Sequence, residues 1–505
     1  MYLLSLIIFL PICTIPFLLY IGNKVEQLRI VSLITFVVQL LLSLVLWKNY
    51  DSNNLSIQFV ENINWIHLQT ENFSFISNYK VGIDGLNLAL VVLSSFIFII
   101  SVLSSWKVSQ KPMAYFVLLQ ILACTTLGCF LALDLFVFFV FFEFMLLPMY
   151  FLIAIWGGVR REYAAIKFFL FTLFGSLLIL LVFIWLYLNF QTFDIIELQA
   201  NFKNIASAPY AVLMFFLLFI GLSIKLPSVP VHTWLPDAHV EASTPISVIL
   251  AALLLKTGGY AIIRICLGIF PQILQEYSYF VAIIGVISIV YAAFNALAMN
   301  DLKKMIAYSS VSHMGFVLLG IAACNTAGIN GAIFQMVSHG IISAALFLVV
   351  GVIYERVHNR SIDNFRGLAF KMPNYTLVTS VAFFASLGLP GFSGFIGEIL
   401  VLMGAFDAAS STKAFSTWLV IAACFGILLS AAYYLWTLQR MFFGKYWLKE
   451  GNKWSSQLND LTTREKLMLF SLAVFTILLG VYPNLILKDI NQSVELFVKT
   501  YLVLK

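Results

Sequence analysis

KLPSVPVHTWLPDAHVEASTP, from Lys225 to Pro245, follows an apolar run, LMFFLLFIGLSI from Leu213 to Ile224, that has the character of a membrane helix. Within twenty-one residues it carries four prolines, Pro227, Pro230, Pro236 and Pro245, together with Lys225, His232, Asp237, His239 and Glu241. Proline removes a backbone donor and clashes with the preceding turn, and an amine at membrane depth costs about 2.5 kcal/mol or more. A helix buried in hydrocarbon has no use for either. One reading is a helix end lying at the membrane surface. The other is a helix broken inside the membrane to build an ion site.

The composition settles the solvent. Of 505 residues, 62% are hydrophobic and 10% charged, and the mean hydropathy is +0.98, whereas soluble domains carry roughly 25% charged residues. This is the signature of an all-α polytopic membrane protein forming one integral membrane domain over residues 1–505. The net charge of +6 calls for no nucleic-acid partner if the basic residues sit in connections on one face. Cys13, Cys124, Cys129, Cys266, Cys324 and Cys424 all fall in apolar runs without metal-site spacing, so they read as small core residues. There is no glycine-rich phosphate loop and no nucleotide fingerprint, and no cofactor is expected in this chain. The opening residues, MYLLSLIIFLPICTIPFLLYIG, lack a basic leader region and a cleavage site and are expected to be a first span.

Apolar segments long enough to cross a bilayer occur near 2–21, 30–48, 85–106, 113–132, 135–156, 164–189, 209–229, 244–267, 278–299, 303–324, 330–354, 374–406, 416–439 and 466–486. That makes fourteen spans, and only helices fit such runs in lipid. Residues 49–83 form the largest polar insertion, where alternating pieces such as LSIQFV predict a small hairpin. Connections after odd-numbered spans hold nineteen lysines and arginines, those after even-numbered spans with the C-terminal tail hold seven, and Lys225, Lys256 and Arg264 remain inside spans. The asymmetry supports fourteen spans and predicts both termini on the outer side of the membrane.

A second span carries a similar interruption. SLGLPGFSGFIGEIL, from Ser386 to Leu400, places Pro390 and Gly391 in the middle of span twelve, 163 residues after the Lys225–Pro227 break, and the starts of spans four and nine are 165 apart. Five spans separate the two breaks, so the copies must be inverted relative to each other. Paired broken helices in inverted repeats mark an ion path in transporters. The expected units are residues 113–267 (spans four to eight) and 278–441 (spans nine to thirteen), with 1–112 in front and span fourteen and the tail in 463–505. Pro227, Pro230, Pro390 and Gly391 are the expected helix breaks.

Deep ionisable residues occur one per helix: Glu143 in span five, Lys225 at the first break, Lys256 in span eight, His313 in span ten, His339 in span eleven and Glu398 just past the second break. Singly, a membrane histidine is most simply a hydrogen-bonded packing residue and a lone glutamate a structural ion-pair partner. Six at similar depth on six helices are harder to explain by packing, because each burial costs free energy. Burial disfavours a charged amine and a nearby carboxylate restores it, so Glu143 and Lys225 are expected to form a pair whose separation decides whether the lysine holds a proton. Thr257, Gly258 and Gly259 after Lys256 leave room for backbone movement. Histidines exchange protons near neutral pH. His232, Asp237, His239 and Glu241 are a possible entrance link to Lys256. Asp301 suits a helix start, Lys303 and Lys304 a connection, Thr244 a cap before Pro245, and Arg160, Arg161 and Glu162 a loop cap.

The segments FFEFMLLPMYFLI, IKLPSVPVHTWLPDAHVEASTPISVILAALLLKTGGYAIIR, DLKKMIAYSSVSHMGFVLLG, MVSHGIISAALFLVVGVIYER and SLGLPGFSGFIGE strongly resemble the antiporter-like membrane subunits of respiratory complex I, the proton-pumping NADH:quinone oxidoreductase. The resemblance covers spans four to thirteen closely and the flanks loosely. It implies that Glu143 and Lys225 are the family's glutamate–lysine pair, Lys256 its central lysine, His313 and His339 members of the axis between half-channels, and Glu398 its exit carboxylate. Glu398, where sister chains resemble each other in having lysine, and an end about twenty residues after span fourteen point to one branch among three sister subunits.

The implied function is proton translocation driven by quinone reduction elsewhere in a complex, with NADH, FMN, iron–sulfur clusters and quinone bound by other subunits. The implied partners are the other membrane subunits, especially the two sisters, and the lipid bilayer. The implied location is a bacterial inner membrane, with the mitochondrial inner membrane as the alternative. Related chains also occur in multisubunit cation/proton antiporters and membrane-bound hydrogenases, and a spacer whose buried charges merely pair is the remaining reading.

Overall fold

The computed structural model describes residues 2–54, 56–69 and 74–502. The first residue of LSIQFV and the terminal Lys505 lie outside the described residues. Each of the fourteen expected segments is occupied by helix. Twelve helices among the described residues are long and apolar enough to cross a bilayer, and a further pair, Thr463–Val481 with Asn484–Tyr501, qualifies as one span bent by 59°. The remaining segment, span seven, is a shorter apolar helix, Ala211–Lys225, followed after a turn by Trp234–Glu241. Span twelve is likewise split, into Pro373–Ser386 and Ser393–Asp407.

Spans eight (Thr244–Leu267), ten (Leu302–Ala322) and eleven (Thr326–Val357) form the centre and are almost wholly buried, whereas spans one, two, six and thirteen turn apolar faces outward. The central helices are the ones that carry Lys256, His313 and His339. Charged groups on them are therefore removed from lipid by the surrounding spans, which is the arrangement intramembrane charges require.

The helix starts are set by short polar side chains. Asp134 accepts the N–H groups of Phe136 and Val137 at 2.9 and 3.1 Å to begin span five, and Asp301 accepts those of Lys303 and Lys304 at 2.9 and 3.1 Å to begin span ten. A capping box of Thr462 and Glu465 opens span fourteen. Two expectations shift. Span eight starts at Thr244 itself, with Ser243 in the cap position and Pro245 in the first turn. Arg160 makes no side-chain cap on Arg161–Phe190; its N–H instead donates to Glu241 at 2.9 Å.

The polar insertion forms the predicted hairpin, β1 (Gln58–Gln69) paired antiparallel with β2 (Ser74–Ile83). Its Glu61 accepts the N–H groups of Leu4 and Ser5 at 2.7 and 3.0 Å and so satisfies free donors at the start of span one. At the other end of the chain, Asn484–Tyr501 is an amphipathic helix seated on Ile486, Ile490, Val494, Phe497 and Val498. It is held by Trp47 Nε1 donating to Asp489 at 2.8 Å and by Asn330 Nδ2 donating to Asn491 at 2.6 Å. Of the cysteines, Cys124, Cys129 and Cys266 are buried, Cys324 and Cys424 half-buried, and Cys13 exposed.

A pair of backbone clasps relates the two halves. Leu135 donates to Phe193 O at 2.8 Å and Ile195 to Leu133 O at 2.9 Å; Leu302 donates to Arg360 O at 3.0 Å and Ile362 to Asn300 O at 2.8 Å. Every residue of the first clasp corresponds to the one 167 places later in the second. Each joins the start of one span to the connection after the next, and with five spans between them they lie at opposite faces.

Arg264, near the end of span eight, donates to Asp84 at 2.6 Å and to Tyr260 Oη at 3.1 Å, with both charged side chains buried. Breaking a buried pair on one side leaves an uncompensated charge. Arg264→Leu is therefore expected to destabilise the fold by about 3–5 kcal/mol. A fall in the thermal unfolding midpoint of the solubilised protein checks this, and an unchanged midpoint would mean the pair is dispensable.

Candidate functional site

The first break is a built feature, because its freed backbone groups are paired again. Beyond Lys225, Trp234 Nε1 donates to Ile224 O at 2.9 Å, Ser228 N to Ser223 O at 3.1 Å, and Val229 N to Ser288 Oγ at 2.9 Å. Pro227 and Pro230 occupy the turn, with the Val229–Pro230 bond cis. Span eight lies directly on this turn: a Cβ at Gly258 would stand 2.7 Å from the Leu226 nitrogen and 3.1 Å from the Lys225 carbonyl carbon. Two residues before Gly258 comes Lys256.

Lys225 is buried with its ammonium 4.6 Å from the centre of the Phe142 ring and no hydrogen-bond partner. Glu143, next to Phe142, is half-buried, and its Oε2 is also without a partner. The two groups are neighbours, yet no ion pair joins them among the described residues. The expected Glu143–Lys225 ion pair is not formed in this structure.

Lys256 is fully buried between two π-helical stretches, Leu250–Leu254 and Ile262–Leu267. Such widened turns free backbone carbonyls and are frequent at functional sites. The lysine uses one: Nζ donates to Ala251 O at 2.5 Å and lies 2.7 Å from His339 Nδ1. The His339 and His313 rings are 5.3 Å apart. His313 Nδ1 is 3.2 Å from Glu398 Oε1 and 3.3 Å from Gln335 Nε2, while its Nε2 is 3.1 Å from Ser386 Oγ. Ser386 then donates to Tyr434 Oη at 2.7 Å, which donates to Ser309 at 2.9 Å. Four of the six expected residues thus form one buried line, Lys256–His339–His313–Glu398.

Glu398 sits where the second break has room for it. Pro390 and Gly391 lie in that turn, Gly388 has φ +76°, and a Cβ on Gly388 would stand 2.5 Å from Glu398 Oε2. Only glycine combines that backbone with that approach. Gly388→Ala is expected to displace Glu398 from His313, because the added methyl would meet Glu398 Oε2. A solved structure of the variant measures this; an unchanged His313–Glu398 distance would show that the carboxylate needs no such seat.

The four residues of the possible entrance link divide into two kinds. Asp237 pairs with Lys167 at 2.7 Å, and Glu241 accepts from Arg160, so these carboxylates tie Trp234–Glu241 to span six and its preceding connection. The histidines make no such ion pairs. His239 is buried, stacked on Phe347 with ring centres 4.4 Å apart, and neither ring nitrogen has a partner. His232 lies 5.5 Å from the Tyr291 ring with Nδ1 unpartnered.

Lys303 corrects an expectation. It is 5% exposed and donates to Ala242 O at 2.5 Å, so it belongs to the interior rather than to a surface connection. The helical spacing of Lys303, Ile306, Ser310 and His313 places it on the histidine's face and was the available signal. Gln335, four residues before His339, was legible in the same way.

The family model described as NADH:quinone oxidoreductase/Mrp antiporter, TM, matches residues 132–429, more than half of the chain. The chain belongs to that family. All six deep ionisable residues fall within the matched region, while the hairpin and the amphipathic tail helix fall outside it. Among curated relatives, NADH-quinone oxidoreductase subunit M of Rhodobacter capsulatus is 42% identical, with 99% of this chain and 97% of the relative covered. Subunit M of Rickettsia typhi is 38% identical over 97% of this chain and 98% of the relative. NAD(P)H-quinone oxidoreductase chain 4 1 of Synechococcus elongatus is 40% identical over 87% and 80%. The branch expected from Glu398 is the one these relatives carry.

Among solved structures, a chain of respiratory complex I from Thermus thermophilus superposes with a TM-score of 0.86 at 27% identity, covering 99% of both chains. A chain of the Mrp complex from Dietzia sp. reaches 0.85 at 22% identity over 99% of both. The second likeness is one of fold alone.

Proposed function

We propose that the chain is a proton-translocating subunit in the membrane arm of an NADH:quinone oxidoreductase, driven by quinone reduction in other subunits. The observation that carries this reading is the buried line from Lys256 through His339 and His313 to Glu398. A lysine hydrogen-bonded to an imidazole, followed by a second imidazole against a carboxylate, offers a proton successive sites without exposing it to lipid. Other subunits of that complex bind NADH, FMN, iron–sulfur clusters and quinone; this chain's residues hold and pass the proton.

Lys225 and Glu143 act as the control on Lys256. When Lys225 swings toward Glu143 its charge leaves the turn that supports Gly258, and when it swings back it faces Lys256 across that turn. A like charge brought nearer Lys256 disfavours its proton and one drawn away favours it, so the position of Lys225 biases proton occupancy. The two inverted units around the breaks are the working parts. The histidines His239 and His232 serve as the entrance link, with Lys303 beside them, while Asp237 and Glu241 hold that segment in place. Both termini face the periplasmic side of a bacterial inner membrane, and the sister antiporter-like subunits flank the chain.

Purification from native membranes tests the assignment. The expected result is copurification with NADH dehydrogenase subunits carrying flavin and iron–sulfur clusters, and uncoupler-sensitive acidification of inverted vesicles by NADH. Copurification with a set of small antiporter subunits lacking redox centres would overturn it in favour of a gradient-driven antiporter.

A further inference from the structure

His313 is held by a loop of hydroxyl groups as well as by Glu398. Its Nε2 lies 3.1 Å from the Oγ of Ser386, the last residue of the helix before the second break. Ser386 donates to Tyr434 Oη at 2.7 Å, Tyr434 donates to Ser309 Oγ at 2.9 Å, and Ser309 donates to the carbonyl of Ile306 at 2.8 Å. The bonds thus leave span ten at His313, cross spans twelve and thirteen (Thr417–Phe442), and return to span ten one turn away. All four side chains are buried, and the Tyr434 ring packs on Phe383 with centres 4.9 Å apart.

The far end fixes the direction of every bond in the loop. A backbone carbonyl only accepts, so the hydroxyl hydrogen of Ser309 is committed to Ile306 O. The Ser309 oxygen then accepts from Tyr434, the Tyr434 oxygen accepts from Ser386, and the Ser386 oxygen is left as an acceptor toward the imidazole. His313 Nε2 must therefore carry a hydrogen. The other nitrogen agrees with this. Gln335 Nε2, which can only donate, lies 3.3 Å from Nδ1, and in a neutral ring that calls for a lone pair on Nδ1. A tautomer is set by the bond that the opposite nitrogen makes. Nor can the loop carry a proton onward, because it ends on an amide carbonyl that has no hydrogen to pass.

Resting on the proton-translocating reading above, we propose that Ser386, Tyr434 and Ser309 are positioning residues that lock His313 with its hydrogen on Nε2, so that the translocated proton arrives at and leaves from Nδ1 alone. Glu398 Oε1 faces that nitrogen at 3.2 Å. In the step, Nδ1 takes up a proton to give an imidazolium with a hydrogen on each nitrogen. The Nδ1–H bond then breaks as an O–H bond forms on Glu398 Oε1, and the ring returns to the tautomer it started in. An imidazole that relays through both nitrogens must turn over or exchange tautomers before it works again; one that uses a single nitrogen is ready at once. Gln335 Oε1 is buried without a partner, so a half-turn of its amide offers Nδ1–H an acceptor while the proton is held.

The test uses the intact complex in sealed vesicles, with histidine isotope-labelled at the ring nitrogens and the His313 resonances assigned by their loss in a His313→Gln complex. Protons moved per NADH oxidised are read alongside. The parent is expected to show a protonated Nε2 and an unprotonated Nδ1. Tyr434→Phe keeps the ring but frees the Ser386 hydroxyl to donate to Nε2, so it is expected to mix the two tautomers and to lower the proton ratio toward that of Lys256→Ala. Tyr433→Phe, the same change at the neighbouring buried tyrosine whose hydroxyl has no partner, is expected to leave both readings at the parental values. Ser386→Ala is expected to lower the ratio and Ser386→Thr, which keeps a hydroxyl, to retain it. A parental His313 with its hydrogen on Nδ1, or a Tyr434→Phe complex that pumps at the parental ratio, overturns the proposal. Lys256→Ala, measured in parallel, separates the two levels. If it lowers the ratio while Tyr434→Phe does not, the lock falls and the proposed function stands; if it has no effect, both fall.

Discussion

Lys256→Ala is expected to remove this chain's contribution to proton translocation while the complex assembles and continues to reduce quinone. Lys256 is completely buried and its amine is shared between Ala251 O and His339 Nδ1, so no neighbouring group can take its place as the first site of the line. Truncation also removes an amine that was expensive to bury, and for that reason the fold is not expected to collapse. Lys256→Arg refines the test. A guanidinium keeps the charge but does not release its proton in the physiological range, so the arginine variant is expected to be as inactive as the alanine one. Dye quenching in inverted vesicles, set against NADH oxidation, reads the ratio. An alanine variant that pumps at the parental ratio would leave the chain as a structural spacer.

Glu143→Gln is expected to have an effect of similar size by a different route. The substitution keeps shape and hydrogen-bonding capacity but removes the charge toward which Lys225 can move. Lys225, held over the Phe142 ring with no hydrogen-bond partner, would then have no carboxylate to move toward, its influence on Lys256 would stop alternating, and the exchange is expected to stall. Glu143→Asp retains the charge on a shorter arm and is expected to recover part of the pumping. Parental proton-to-electron ratios in the glutamine variant would show that the open pair has no part in control.

Much of this architecture was legible in the sequence because membrane helices announce themselves by length and hydropathy, and because Pro227 and Pro390 each come with further prolines, glycines or charges, unlike Pro11 and Pro16, which span one keeps inside an unbroken helix. The site residues were legible because a charge in lipid needs a reason. Their connectivity was not. Nothing in the spacing of Lys256 and His339, or of His313 and Glu398, says that they touch, since they come from four helices whose packing is set elsewhere. Lys303 was concealed by its neighbour Lys304, which does sit near the surface; a count of basic residues per connection cannot tell a buried member from an exposed one. The tail helix was missed because its apolar residues recur every three or four positions among charged ones, so that no window reads as strongly apolar. The clasps were invisible for a simpler reason: backbone hydrogen bonds leave no side-chain signature, and only the 167-residue offset between them ties them together.

Those clasps bear on how the chain is made. Each one ties the residue that opens a helix to a segment sixty positions downstream, and both ends belong to the same half. A nascent chain leaving the ribosome can therefore fasten the first half as soon as Ile195 has emerged, before span seven has entered the membrane and before any part of the second half exists. Span eight of the first half can then meet spans ten and eleven of the second only after those have been made.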